Sequence, residues 1–197
     1  MTICVATFGD PKWRLLAEHR ATPNARLQGV PVVSVHGGDT IAEARNVAAR
    51  FVRTEWIVFL DADDELEPGY ITALAAGTGD LRAPAVRYVD HMAPAIPDPI
   101  VFADRDITHI NPCVIGTAIR RTMFDDIGGF WEERAWEDWS LFRRAWLAGA
   151  TIEHIPAAVY RVNVNQLGRN STVTDPNGLH RQILRSHRRW HQHRKRA

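Results

Sequence analysis

The chain opens on a continuous apolar run, Thr2 to Phe8, that stops at Gly9. A short run without polar alternation predicts a strand buried on both faces, as in a parallel sheet. Asp10-Pro11 predicts a helix start. Aspartate caps free amides, and proline at the first helical position lacks only an amide that has no partner there. The helix is expected through about Arg20, with Trp13, Leu16 and Ala17 facing inward. Gly29 and Pro31 bracket a break, and Pro31 to His36 predicts a second strand closed by Gly37-Gly38. Thr40-Ile41-Ala42-Glu43 fits a capping box, and Ile41, Ala44, Val47, Ala48 and Phe51 recur at helical spacing to about Val52. Trp56 to Leu60 is a strongly apolar strand ending abruptly in Asp61-Ala62-Asp63-Asp64-Glu65, and a helix from Pro68 to Ala76 follows. This alternation is the signature of right-handed βαβ units on a parallel sheet.

Beyond residue 80 the pattern is less regular. Pro84 to Asp90 and Cys113 to Ile119 predict strands, with a stiff loop at Pro94, Pro97 and Pro99 between them. A short helix is expected from Arg120 to about Ile127, then a turn at Gly128-Gly129-Phe130. Glu137 to Ala148 predicts a helix whose apolar side is Trp139, Phe142, Trp146 and Leu147, stopped by Gly149. Ile152 to Val162 reads as extended, and the tail from Leu179 as a helix with Ile183 and Leu184 as its few apolar positions.

A length of 197 residues with 45% hydrophobic and 24% charged residues argues for one globular domain. No apolar stretch approaches the roughly 18–20 residues of a membrane span. The first ten residues lack the positive region of a secretion signal. Cys4 and Cys113 lie in apolar segments, so buried thiols in a reducing, cytoplasmic compartment are expected. The net charge of +1 hides a split. All 23 acidic residues lie at or before Asp175, whereas His180 to Ala197 carries 7 of the 24 basic ones. The preceding chain therefore holds 17 basic against 23 acidic residues, a net of −6.

Chemistry concentrates at two places. The carboxylates Asp61, Asp63, Asp64 and Glu65 follow a strand, where open α/β sheets bind ligands. Crowded oxygen ligands favour Mg²⁺ or Mn²⁺, with substrate phosphates completing the shell. Asp61 and Asp63 can face one cation if the turn is tight. An acidic, solvated helix start before Pro68 explains the same run. The second place is Glu137-Asp138 at a helix start, with Trp131, Trp136 and Trp139 nearby. Aromatic surroundings suit a carbohydrate site, and they equally suit a core.

In combination, "TICVATFGD", "AEARNVAAR", "WIVFLDADDELEPGYI" and "IGGFWEERAWEDWSLFRRAWLAG" resemble the family 2 glycosyltransferases over roughly residues 2–162. The resemblance implies a GT-A fold: α/β, Rossmann-like, a mostly parallel sheet flanked by helices in one compact domain. Residues 1–105 would bind the nucleotide sugar, 106–175 would form the acceptor half, and 176–197 would be a basic tail. The activity implied is metal-dependent, inverting transfer from a nucleotide-diphosphate donor, a UDP-sugar above others, to an acceptor hydroxyl. Asp61-Ala62-Asp63 matches the DxD motif, with Asp63 on the Mn²⁺ or Mg²⁺ and Asp61 on the ribose or the metal. Thr7 matches the position lining the base, and Arg45 one approaching the nucleotide or its phosphates. Asp138 matches the catalytic base, with Glu137 orienting the acceptor or substituting for it. Gly128, Gly129 and Phe130 match the loop beneath donor sugar and acceptor. The compact size and arginine-rich composition, 22 Arg against Lys12 and Lys195, are similar to short enzymes of actinobacterial phages acting in the host cytoplasm.

The chain departs from the family after its second strand. The usual Asp-Asp-Gly-Ser is replaced by "VSVHGGD", so Asp39 either takes the base-holding role or caps the Thr40 helix. Arg161 and Gly168 to Val173 fall where relatives close a loop over the donor, and the segment reads equally as an ordinary loop. Asn170-Ser171-Thr172 is a glycosylation sequon by pattern alone. His187, His191 and His193 have metal-like spacing without an acidic or cysteine partner, and a solvated basic helix accounts for them as well. The acceptor is open among glycan, protein and nucleic acid, and a homo-oligomer is compatible with the sequence. Two other readings are a nucleotidyltransferase of similar topology and a nucleic-acid or anionic-surface binding module using the tail. The single glycine of "ATFGDP" is poor for the first.

Overall fold

The computed structural model describes residues 1–90, 96–164 and 173–194. The elements run β1 (Thr2–Thr7), α1 (Pro11–His19), α2 (Ala21–Arg26), β2 (Val32–His36), α3 (Ile41–Arg50), β3 (Trp56–Leu60), β4 (Glu65–Leu66), α4 (Tyr70–Ala76), β5 (Leu81–Val89), β6 (Ala118–Arg120), α5 (Arg121–Asp126), α6 (Glu137–Leu147), β7 (Ile152–Asn163) and α7 (Pro176–Arg194). Seven strands form one sheet in the order β2-β1-β3-β6-β5-β7-β4. β1 pairs in parallel with β2 and β3, and β5 with β7, while β6 and the short β4 run against their neighbours. Five strands thus share one direction, and the sheet is mostly parallel.

The apolar runs explain the central strands. Every residue of β1 and β3 is buried, as expected for strands covered on both faces. Asp10 caps α1 through a bond from the Lys12 amide at 2.9 Å. The capping box forms with a shift. Thr40 Oγ1 accepts from the Glu43 amide, and Glu43 Oε2 returns to the amide of Asp39 at 2.8 Å.

Some elements differ from the sequence expectation. Residues 21–26 form α2, beyond the expected helix end at about Arg20. Pro23 falls within the first turn, where no helical acceptor awaits its amide. Asn24 then clips α2 to β4, its amide oxygen accepting from Leu66 N at 2.7 Å and its nitrogen donating to Leu66 O at 3.1 Å. The strand expected over Cys113 to Ile119 shrinks to Ala118–Arg120. The chain turns there, with Thr117 N bonded to Val114 O. Tyr70 and Tyr160 crowd Gly116 so closely that no side chain fits at that position.

The C-terminal helix is not a free tail. Leu179, Ile183 and His187 of α7 are buried, the first two as members of the main core. Pro94 and the segment Gly168 to Thr172, with its sequon, lie outside the described residues, as do the side chains of His193 and Arg194. Among the described residues no helix is long and apolar enough to cross a membrane.

Candidate active site

The site lies where the carboxyl end of β3 meets the start of α6. Past Leu60 the chain turns tightly, the amide of Asp64 reaching the carbonyl of Asp61. β7 holds this turn from beneath. Tyr160 Oη accepts from the Asp61 amide at 3.2 Å and donates to Asp64 Oδ2 at 3.0 Å. Asn163 donates its backbone amide to Asp64 Oδ1 at 2.9 Å and its side-chain amide to the Asp63 carbonyl at 2.7 Å. Arg20 donates to the same carbonyl at 3.0 Å.

The four carboxylates of this segment therefore have different fates. Asp64 points inward, and burial, followed by the charges of Asp61 and Asp63, lifts its pKa well above the usual range. Glu65 pairs with Arg161 at 3.5 Å. Ala62 is buried beneath the turn. Asp61 and Asp63 remain partly open.

Arg45 connects the turn to α6. Its Nη2 donates to Asp61 Oδ1 at 2.6 Å and its Nη1 to Glu137 Oε1 at 2.7 Å. Burial alone would favour its neutral form, but the two carboxylates more than offset that and hold it charged. Two of its donors are committed to protein carboxylates in this geometry, beside the phosphate role that the resemblance implies. The Phe130 ring lies 5.1 Å from the guanidinium. Gly128-Gly129-Phe130 is fixed from behind. The fully buried Arg144 donates to the carbonyls of Ile127 and Gly129, both at 2.6 Å, and Asn46 exchanges two bonds with the Phe130 backbone. Gly129 has φ +63°, and a Cβ there would stand 2.5 Å from Asn46 Oδ1, so glycine is required. The turn supports Arg45 from beneath rather than forming the wall of the cleft.

That cleft has a volume of about 570 Å³. Asp61, Glu137 and Asp138 line it together with Arg45, Asn111, Tyr88 and Trp136. Trp136 has a left-handed backbone, φ 60° and ψ 31°, the one non-glycine residue of positive φ among those described. It turns the chain so that Glu137 and Asp138 occupy the first turn of α6. Asp138 Oδ2 accepts from Asn111 Nδ2 at 2.9 Å. Burial pushes the Asp138 pKa up to about 7, with the Glu137 charge adding to it, against the opposing Trp139 amide and Arg45. A carboxylate poised near neutrality in a cleft suits proton transfer.

At the ends of β1 and β2, Thr7 and His36 stand opposite each other, with Thr7 Oγ1 and His36 Nδ1 3.0 Å apart. Thr7 is buried and Asp39 exposed. A smaller hollow is lined by Phe8, Thr40, Ile41 and Ala42 on one side and by Glu132, Glu133 and Arg134 on the other.

Among the described residues no three His, Cys, Asp or Glu side chains converge as a metal cage. The donor set still fits a divalent ion. Asp61 lines the cleft and Asp63, outside its lining, is partly open. Carboxylates of this kind would suit Mg²⁺, which uses one or two of them with substrate phosphates, and a cation would relieve the crowding that burdens Asp64. His187 belongs to neither earlier alternative. It is fully buried between Ser140 and Arg143, both at 2.9 Å, and burial followed by the charges of Arg143 and Arg144 lowers its pKa to about 3. Asn111, Tyr160, Asn163 and His36 are site residues that sequence reasoning misses. Only His36 carries a local signal, its place at the end of a predicted strand.

Residues 11–88 match the model of Glycosyl transferase family 2. No curated protein matches the sequence. Among solved structures, S. aureus TarS residues 1–349 in complex with UDP-GlcNAc is similar at 16% identity, with a TM-score of 0.66. The similarity covers 93% of this chain and 65% of that one. The same TarS fragment in complex with UDP matches with a TM-score of 0.58 over 93% of this chain and 70% of that one. Against S. aureus TarS the coverage is 84% and 37%, with a TM-score of 0.58. The chain thus spans somewhat less than two thirds of the first of these. The family model thus matches residues 11–88, less than half of the chain, and the mostly parallel sheet with flanking helices matches the GT-A fold of these structures.

Proposed function

We propose that this chain is a family 2 glycosyltransferase that moves a sugar from a nucleotide-diphosphate donor, a UDP-sugar, to an acceptor hydroxyl, with Asp138 as general base and inversion at the anomeric carbon. The observation that carries this reading is that Asp61 and Asp138 face one cleft and are tied through Arg45 and Glu137. The TarS complexes with UDP-GlcNAc and UDP support a uridine donor by similarity of fold.

The residues divide the work. The Asp61-Ala62-Asp63 turn faces the donor diphosphate. A divalent ion held there by Asp63 and Asp61 would act as a Lewis acid on the leaving diphosphate. Thr7, with His36 and Asp39 nearby, lines the base. Asp138 takes the proton of the acceptor hydroxyl as its oxygen bonds to the anomeric carbon. Glu137, bound to Arg45, fixes the first turn of α6 and raises the basicity of its neighbour. Of the other carboxylates lining the cleft, Asp61 and Glu137 are bound by Arg45 and Asp64 by Tyr160 and Asn163, an arrangement that supports a single displacement without a covalent intermediate.

A panel of nucleotide sugars with Mn²⁺, read by mass spectrometry for both transfer and hydrolysis, tests this reading. Turnover of a UDP-sugar is expected, rising with pH through about 7 as Asp138 ionises. Asp138→Asn should lower the rate about 10²- to 10⁴-fold, and Asp63→Ala should remove the metal requirement together with the turnover. An α-product from an α-linked donor would overturn inversion, and wild-type turnover in Asp138→Asn would remove the base from this residue.

A further inference from the structure

We infer that Asn111 is a positioning residue for Asp138, its side-chain amide fixing one carboxylate oxygen of the proposed base within the cleft. The inference rests on the reading of Asp138 as base, and the contact itself is independent of that reading. Asn111 lies in the irregular stretch between β5 and β6, 27 residues before its partner, and donates Nδ2 to Asp138 Oδ2 at 2.9 Å. Its own orientation is fixed. The Cys113 amide donates to Asn111 Oδ1 at 3.0 Å. Turning the amide over would set two donors against each other at Cys113 and two acceptors at Asp138, so only one of the two orientations is satisfied.

The stretch that carries Asn111 is itself anchored. Arg105 Nη1 donates to the Asn111 carbonyl at 3.1 Å. Trp139 Nε1, one residue beyond the base, donates to the Ile107 carbonyl at 3.0 Å. From α7, His180 Nε2 lies 3.0 Å from the His109 carbonyl, and its ring stacks on Trp139 at 4.9 Å between centroids. The C-terminal helix therefore braces the stretch that positions the base.

A donor bond favours the ionised carboxylate. The other groups sharing the cleft with Asp138 are Glu137 on α6, Arg45 on α3, Asp61 and Asp64 after β3, Tyr88 on β5, Arg105, His109 and Cys113 in the Asn111 stretch, and His180 on α7, and the Trp139 backbone amide also donates to the carboxylate. Arg45 is already bridged to Asp61 and Glu137. Asn111 is the side chain whose hydrogen bond to the Asp138 carboxylate holds it directly.

The test is a carbon-13 NMR titration of the aspartate carboxyl groups in the full chain, with Asp138 assigned by its loss in Asp138→Asn. In Asn111→Ala the Asp138 midpoint should move up by about one pH unit, tenfold in the ionisation constant. Asn111→Asp preserves the shape, replaces the donor by a like charge, and should move the midpoint up further. Midpoints unchanged in both variants overturn the inference. Hydrolysis of UDP-GlcNAc with Mn²⁺, water standing in for the acceptor, gives the second readout. Asn111→Ala should lose about fivefold in kcat near pH 7, as the ionised fraction falls from about one half to about one eleventh, recover at higher pH, and keep the donor KM. A purely structural role would change KM or leave the pH profile in place. If Asp138→Asn hydrolyses at the wild-type rate, the base reading fails. If it is inactive while the midpoint stays unmoved in Asn111→Ala and Asn111→Asp, the inference alone fails.

Discussion

Trp136 begins α6 in a backbone region that costs an L-residue about 1–2 kcal/mol. Strain of this kind persists where surroundings enforce it, and here it delivers Glu137 and Asp138 to the cleft. The indole is half-buried against Trp139, at 6.5 Å between ring centroids. The two contributions separate by substitution. Trp136→Ala and Trp136→Gly both lose the ring, but only glycine relaxes the backbone. Urea unfolding should therefore find the glycine variant about 1 kcal/mol more stable than the alanine variant. The opposite order would mean that the backbone at 136 is unstrained. Arg45 gives a second residue-scale prediction. Arg45→Met leaves the buried Glu137 without that partner and should cost about 3 kcal/mol, the lower end for a broken buried pair because Asp61 reaches solvent. Adding Glu137→Met should restore part of the loss, because much of the cost is a buried carboxylate that has lost the arginine's charge.

At the scale of elements, what could be read from the sequence was local. β1 and β3 announce themselves because strands covered on both faces need unbroken apolar runs. The caps of α1 and α3 need a side chain within three residues of the helix start. The Asp61-Ala62-Asp63 turn and the Glu137-Asp138 pair stand out through charge density beside apolar runs. The floor of the site was hidden for a physical reason. Tyr160 and Asn163 reach the acidic turn from β7, and Asn111 reaches Asp138 from an irregular stretch. Neither relation leaves a period in the sequence. Asp64 shows the limit most clearly. In sequence it equals Asp61 and Asp63, yet its inward turn depends on two residues of a strand not yet reached in the chain.

At the scale of the molecule, the basic end is structural on one side and cationic on the other. Leu179, Ile183 and His187 enter the protein, while Arg181, Arg185, Arg188 and Arg189 remain exposed. The basic residues of this segment are thus carried on the outer face of a helix whose inner face belongs to the acidic body. Because Ile183 shares the main core, Ile183→Ala should lower the stability of the whole domain by about 2–5 kcal/mol in a single transition. Circular dichroism and tryptophan emission should report the same urea midpoint. A separate early transition of helix alone would show that α7 folds independently.

The dependence of the acidic turn on β7 also sets an order in time. Tyr160 and Asn163 lie 96 and 99 residues beyond the Asp64 they hold. Synthesis proceeds at about 5–20 residues per second, so the turn leaves the ribosome about 5–20 s before its floor exists. Until then β5 also lacks its parallel partner. A nascent chain that ends before residue 160 carries the whole acidic motif without the strand that shapes it.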